Sequence, residues 1–365
     1  MSSVSEITNK KDELVDALLD WYDHHARTLP WRISPEARQG GISPNPYHVW
    51  LSEIMLQQTT VATVKSYFEK FITEWPTVEK LAAAELDEVL TAWAGLGYYA
   101  RARNLHKCAK RIVDQLNGEF PNQYEELLKL PGIGVYTAAA ITSIVYDIPA
   151  TVVDGNVERV ISRIFNIETP LPDSRPEIRE YAEIFTPNHR PGDYAQALMD
   201  LGATVCTPKS QKCGNCPWQE DCLAHELGSE ADLPVRKNKK EKPTRRGYAF
   251  WAEYDGKVWL RRRPEKGLLG GMMEVPSNEW APSNSWDNIP TPRIPIIANW
   301  DLLPGVVRHT FTHFHLELKV VRLNLEEMIN LQEGEWCEIE KSDQYALPTV
   351  MKKIYAHVGQ PLLDL

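Results

Sequence analysis

Cys206, Cys213, Cys216 and Cys222 crowd four thiols into 17 residues, spaced C-x6-C-x2-C-x5-C, and the other two of the six cysteines lie far from them. A stretch so rich in thiols is a metal centre or a pair of disulfides. Disulfides call for an oxidising compartment, and the polar, charged stretch 1–11 does not resemble a secretory leader. A metal centre is the favoured reading. Zinc usually takes two C-x2-C pairs, whereas here a lone cysteine stands six residues ahead of a single pair. That uneven spacing suits a cubane iron–sulfur cluster, whose four irons each take one thiolate at a different corner. The segment reads as a loop wrapped on a cluster.

Periodicity divides the rest. A length of 365 residues exceeds one comfortable core, so two domains are expected. Val61, Val64, Phe68, Phe71, Ile72 and Trp75 form one stripe at helical spacing. Leu105, Cys108, Ala109, Ile112, Val113 and Leu116 form another, stopped by Gly118, and Cys108 on that face reads as core. Further helices are expected over 86–93, 157–165, 178–185 and 194–205. Residues 1–228 read as an all-α domain. Arg236 to Arg246 holds seven basic side chains against one Glu, without apolar periodicity, so 229–246 reads as a basic linker, either a simple spacer or a strap that contacts phosphates. Beyond it, 250–261 alternates around the hairpin dipeptide Asp255-Gly256, 311–325 is a second strand-like run, and 346–357 resembles a closing helix. Residues 247–365 read as a small α+β domain.

The longest apolar run falls short of a bilayer span, so a soluble protein with no membrane partner is expected. A net charge of −10 argues at face value against nucleic acid. One motif offsets that objection. In Leu130-Pro-Gly-Ile-Gly134, glycines allow close backbone approach, and the helix that follows exposes unpaired N–H groups. Such a segment is either an ordinary tight helix–helix turn or a helix–hairpin–helix, which binds phosphate without cationic side chains.

Two carboxylates stand out. Asp154, in Val152-Val-Asp-Gly-Asn-Val157, precedes a helix and reads either as its N-cap or as a functional group. Glu53, in Trp50-Leu-Ser-Glu-Ile-Met-Leu56, has apolar neighbours. If it lies in a pocket, desolvation raises its pKa and keeps it protonated near neutrality, as a general acid requires.

Taken in order, Glu53 with Met55-Leu-Gln-Gln-Thr59, Gly95-Leu-Gly-Tyr-Tyr99, Leu130-Pro-Gly-Ile-Gly134, Val153-Asp-Gly-Asn156 and the cysteine loop resemble one family across nearly the whole chain. They look like the adenine DNA glycosylases that remove adenine mispaired with 8-oxoguanine, within the endonuclease III superfamily. The endonuclease III branch carries, at position 136, a lysine that attacks the sugar and then nicks the strand. This chain has Tyr136, which cannot form a Schiff base, so a monofunctional glycosylase is implied.

The resemblance implies that Glu53 protonates adenine and that ionised Asp154 stabilises the sugar cation, with Tyr136 and Asn156 as supports. Trp31, Arg32 and Gln196 are implied to line the pocket for the flipped base. Leu56, Gln57, Gln58, Tyr98, Gly132 and Gly134 are implied to contact DNA, and the four cysteines to hold one [4Fe–4S] cluster. The implied partner is duplex DNA carrying adenine opposite 8-oxoguanine or guanine, met by a monomer in a bacterial cytoplasm at the nucleoid. The last domain resembles the family's Nudix-related recognition domain, beginning at Gly267-Leu-Leu-Gly-Gly-Met-Met-Glu-Val-Pro276. The Glu-rich helix of the nucleotide hydrolases is missing from 277–295, so nucleotide hydrolysis is not expected. Phe311, Thr312 and His313 match the lesion-reading loop, with Thr312 where serine is usual. His309, His313 and His315 as a metal site is the weaker reading, with no acidic or Cys ligand near. The competing functions are an endonuclease III-type lyase, a non-enzymatic iron–sulfur DNA-binding protein, and a Nudix hydrolase with a helical appendage.

Overall fold

The spacing of apolar residues at three and four along 3–227 yields helices throughout, joined by turns. The computed structural model describes residues 3–237, 241–282, 286, 301–328 and 334–359. They form two compact units, one of 1–83 with 104–238 and one of 84–103 with 239–365.

The first unit is built around the helix Pro191–Thr204, in which Pro191 through Gly202 are all buried. It packs against helices Lys11–His25, Val135–Tyr146 and Gly155–Ile164. Close approach is possible because small residues stand where the axes meet. A Cβ on Gly192 would lie 2.4 Å from the Ser143 carbonyl oxygen, and one on Gly202 would lie 2.6 Å from the Asn156 Cβ. Val64, Phe68 and Phe71 bury the face of helix Val61–Glu74, as their spacing predicts. Cys108 is fully buried, on helix Ala100–Leu116. Residues expected to begin the linker belong to this unit. Leu233 is buried, and the Leu171 amide donates to the Val235 carbonyl.

The second unit carries a mixed sheet with strands β1 (Thr244–Tyr254), β2 (Lys257–Arg262), β3 (Met273–Glu274), β4 (Asp301–Leu302), β5 (Val307–Thr310), β6 (His315–Asn324) and β7 (Glu335–Glu338). The order is β3-β2-β1-β6-β4, with β5 also on β6 and β7 also on β2. β1 and β6 run parallel over ten residue pairs, Thr244–His315 to Glu253–Asn324, and the other pairings are antiparallel. Asp255 and Gly256 both take positive φ, 45° and 70°, as the two-residue hairpin turn between β1 and β2 requires. Alternation sorts the sheet's two faces. Ala249 and Trp251 join Leu316, Leu318 and Val320 under helix Thr349–Val358, while Tyr248, Phe250, Val321 and Leu323 cover the other side.

Two expectations are corrected here. β1 starts inside the presumed linker, because Arg246 pairs with Glu317 at 3.2 Å and the Arg245 guanidinium lies 4.3 Å from the Phe314 ring centre. The run 311–325 is not one strand. The Phe311 amide donates to the Phe314 carbonyl, reversing the chain, so 311–314 is the tip of a β5–β6 hairpin. The stretch 277–295 is described only at 277–282 and Trp286, so the expected loss of the Glu-rich helix lies largely outside the described residues.

Candidate active site

Helix Pro46–Leu56 presents Glu53 inward among Trp50, Leu51, Ile54 and Met55, all buried. Glu53 is 5 % exposed and accepts a hydrogen bond at 2.7 Å from the Tyr136 hydroxyl. Burial pushes its carboxyl up to about 7, against the opposing pull of that hydrogen bond and of the Arg32 charge, and the Asp154 charge adds to the rise. Burial and the same two carboxylates hold the Tyr136 phenol well above its usual range, so it remains a donor.

Asp154 takes the N-cap place that its sequence context allowed. It caps helix Gly155–Ile164, its Oδ1 accepting from the amides of Asn156 and Val157 at 2.8 Å each. Its Oδ2 accepts from the Asn156 side-chain amide, also at 2.8 Å. Three N–H donors and a helix N-terminus thus fix the carboxylate in one orientation. Its backbone turn is seated against Gly202, where any larger residue would displace Asn156.

Both carboxylates line one cleft of about 850 Å³, together with Trp31, Arg32, Leu56, Gln57, Gln58, Gly132, Gly134, Tyr136 and Asn156. Gly132 needs its positive φ of 78° and lies so close to Asn104 that a Cβ would sit 2.8 Å from that residue's Cβ. Gly134 caps helix Val135–Tyr146, and a Cβ there would meet nothing within the protein. The space it leaves faces outward, where a phosphate can approach the free amides of the helix N-terminus. Trp31 is buried edge-on to Phe68 at 5.3 Å between ring centres. Gln196 is the exception among the expected pocket residues. It is buried within helix Pro191–Thr204, its amide donates to the Gly192 carbonyl at 3.3 Å, and it is not among the cleft's lining residues.

The four cysteines of the loop are unpaired and line one small cavity with Arg163, His225 and Glu230. Burial pushes Cys216 up to about 12 and Cys222 up to about 11, and the other thiols of the loop add to both. Four sulfurs that repel one another as thiolates suit a cationic iron cluster, and Arg163 Nη1 stands 3.2 Å from Cys206 Sγ as a further positive charge. The donor set therefore fits such a group. Disulfides are absent among the described residues. The one group of three potential metal ligands among them, Cys213, His225 and Glu230, belongs to this same cavity, and the three histidines 309, 313 and 315 form none.

Residues 51–187 match the model of the HhH-GPD superfamily of base excision DNA repair proteins, and 247–357 match a NUDIX domain. An adenine DNA glycosylase of Buchnera aphidicola is 32% identical over 92% of this chain and 96% of its own. This chain belongs to the adenine DNA glycosylase family. The human adenine DNA glycosylase is 34% identical over 93% of this chain and 72% of its own. A thermostable thymine-DNA glycosylase superposes with a TM-score of 0.52 at 28% identity, over 60% of this chain and 99% of its own. As a family member the chain is a DNA repair enzyme cleaving N-glycosyl bonds, and with Tyr136 in place of an amine nucleophile it is monofunctional.

The cleft's two arginines are also held by a residue that motif reading passed over. Asp200 is fully buried and accepts from the Arg27 backbone amide (2.8 Å), from Arg27 Nε (2.6 Å) and from Arg32 Nη1 (2.8 Å). Burial alone would lower the Arg32 pKa, but the Asp200 charge overcomes it, so the guanidinium stays charged beside Glu53. The signal was a lone acid inside the apolar run 194–205. Arg159 and Arg163, four apart on the Asp154 helix, were likewise unmarked. Arg159 joins the Asn156 side chain (2.9 Å) to the carbonyls of Gly202 (2.6 Å) and Cys206 (2.7 Å).

In the second unit, Thr312 and His313 are exposed at the β5–β6 tip. Phe311 is half-buried, stacked on Trp280 at 6.0 Å and edge-on to His309 at 4.6 Å. The Tyr98 hydroxyl pairs with that of Thr312. Tyr98 adopts a positive φ of 49° between Gly97 and Tyr99, a conformation non-glycine residues rarely take.

Proposed function

We propose that this protein removes adenine from duplex DNA where the adenine stands opposite 8-oxoguanine or guanine, leaving an abasic site in an unbroken strand. The observation that carries this reading is Glu53, buried, bonded to Tyr136 and sharing one cleft with Asp154. Adenine leaves poorly until protonated. Glu53, with a pKa of about 7, gives its proton to N7 of a base flipped into the cleft beside Trp31 and Arg32. The glycosidic bond breaks, adenine takes the electron pair, and the sugar becomes an oxocarbenium ion. Asp154, oriented by its bonds from Asn156 and Val157, stabilises that cation. Water adds at C1′, and the proton it sheds restores Glu53. Leu56, Gln57, Gln58 and Tyr98 act at the opened stack, and the helix N-terminus at Gly132 and Gly134 receives a phosphate. Phe311, Thr312 and His313 read the lesion. The enzyme works as a monomer in the bacterial cytoplasm, at the nucleoid.

Cys206, Cys213, Cys216 and Cys222 are the ligands for one [4Fe–4S] cluster, which when bound closes the loop through four thiolate–iron bonds. Purified protein is expected to be yellow-brown with about four irons per chain, and Cys213→Ser to lower iron content and solubility. Stoichiometric zinc without iron or sulfide, in protein prepared without oxygen, would remove the cluster from this reading.

The deciding experiment uses duplexes with adenine opposite 8-oxoguanine, guanine, thymine or cytosine, followed by alkali. Breaks are expected only after alkali, in the adenine strand, fastest opposite 8-oxoguanine. Breaks without alkali would make the protein a lyase, and no breaks at all would make it a DNA-binding protein without this activity.

A further inference from the structure

The reading loop touches Tyr98 through one bond between two exposed side chains, and one such bond leaves both partners free to swing. A second attachment lies at the other end of the same segment. Arg262, at the end of β2, grips Asp87 with both arms of its guanidinium, Nη1 to Oδ1 at 2.8 Å and Nη2 to Oδ2 at 2.6 Å. The same Nη1 donates to the Gly271 carbonyl at 2.9 Å, and Arg103 donates to the neighbouring Gly270 carbonyl.

Asp87 lies in the first turn of helix Leu86–Ala92. That helix runs directly into the strained turn that carries Tyr98. Trp93, fully buried at its end, donates through Nε1 to the Gly97 carbonyl at 3.0 Å. Arg101 donates to the carbonyls of Leu96 (2.9 Å) and Gly97 (3.2 Å), with its guanidinium 5.6 Å from the centre of the Tyr98 ring. An unbroken chain of contacts thus leads from Arg262 through Asp87, Trp93 and Gly97 to Tyr98 and Thr312. The sheet that bears both Arg262 and the reading loop closes the circuit.

We infer that Arg262 is a positioning residue for lesion discrimination, its two-armed hold on Asp87 keeping Tyr98 in register with Thr312. The inference rests on the reading that the 311–313 loop recognises 8-oxoguanine. A fork-on-carboxylate pair fixes direction as well as distance, which a single hydroxyl contact does not. With the far end tethered, the Tyr98–Thr312 bond forms at a high effective concentration. Thr312 then meets DNA already oriented.

The test is a double-mutant cycle in the full-length protein with Arg262→Ala, Asp87→Ala and both together. Single-turnover excision is measured for adenine opposite 8-oxoguanine and opposite guanine, below saturation, at low and high salt. Each single variant is expected to lose about threefold of the preference for the 8-oxoguanine mispair, with excision opposite guanine unchanged. The double variant loses no more than either single one. High salt lowers the wild-type preference toward that of the variants and leaves theirs alone. Asp87→Asn, which keeps the shape and one acceptor, loses less than Asp87→Ala. A preference that is strong in the wild type and unmoved in every variant overturns the positioning role. So does an equal loss on both mispairs, or a fall in melting temperature that tracks the loss, either of which makes the pair merely structural. A wild type without any preference defeats the reading of the loop itself, and the inference with it.

Discussion

Around Glu53 the protein encloses a carboxyl, and around Thr312 it exposes a hydroxyl. Glu53 is 5 % exposed, bonded to Tyr136, and set beside an Arg32 that Asp200 holds in turn. Thr312 stands at a hairpin tip, with Tyr98 as its described partner. The tasks proposed for the two account for the contrast. A proton donor must have its pKa set before the base arrives, and only burial among fixed dipoles does that. A hydroxyl that inspects a base must keep bonding capacity in hand, and a hydroxyl pairing once still has a lone pair or its proton to offer. Damage to the first region should therefore abolish excision on every mispair, whereas damage to the second should change only the ranking of mispairs.

The sharpest way to break that contrast is Asp154→Asn, which keeps the cap's shape and removes its charge. Excision should fall by about a thousandfold or more on all mispairs while DNA binding persists. Near-normal single-turnover rates would reduce Asp154 to a helix cap. Glu53→Gln comes next, with a loss of about a hundredfold or more. Because burial raises the Glu53 carboxyl to about 7 and the proposed mechanism uses it as an acid, wild-type excision should decline as pH rises through about 7, and the variant should lose that limb. Stability carries the same sign. The folded state holds this proton more tightly than the unfolded chain, so stability falls as pH rises from the ordinary glutamate range to about 7 and levels off above it. Glu53→Gln should remove that slope in melting curves. The smallest effect belongs to the tip. Thr312→Ala with His313→Ala should narrow the preference for the 8-oxoguanine mispair by about tenfold, within the 1–3 kcal/mol of a base contact, leaving the guanine mispair alone. A parallel loss on both mispairs would erase the distinction between the regions.

Much of this was legible because it is periodic or local. Helical stripes such as Val64, Phe68 and Phe71 declare their own buried face, and Asp255-Gly256 declares its turn through a positive φ that few other pairs tolerate. Glu53 was legible as a carboxyl among apolar neighbours on one helix. What escaped depends on residues distant in sequence. Asp200 matters through Arg27 and Arg32, more than 160 positions away, and nothing near it shows the pairing. Residues 84–103 read as a helix and the Gly95–Tyr99 motif of the all-α domain, yet group with the sheet, where Asp87 meets Arg262 and Tyr98 meets Thr312. Gln196 illustrates the converse. Its place followed from resemblance alone, and its side-chain amide bonds instead to the Gly192 carbonyl one turn back in its own helix. The linker's far edge was set late for a compositional reason, since arginines that look solvated can stack on Phe314 or pair with Glu317 at a strand's start.

The long parallel ladder between β1 and β6 has a consequence for how the molecule is made. Its ten pairs join positions about seventy apart, so β1 leaves the ribosome well before the strand that completes it. During that interval a strand bearing Tyr248, Phe250 and Trp251 has an open backbone edge and two apolar faces, which is an invitation to pair with another nascent chain. Premature stops between residues 255 and 315 should accordingly yield insoluble protein. Ending the chain ahead of β1 should be far less harmful to solubility than ending it between the two partners.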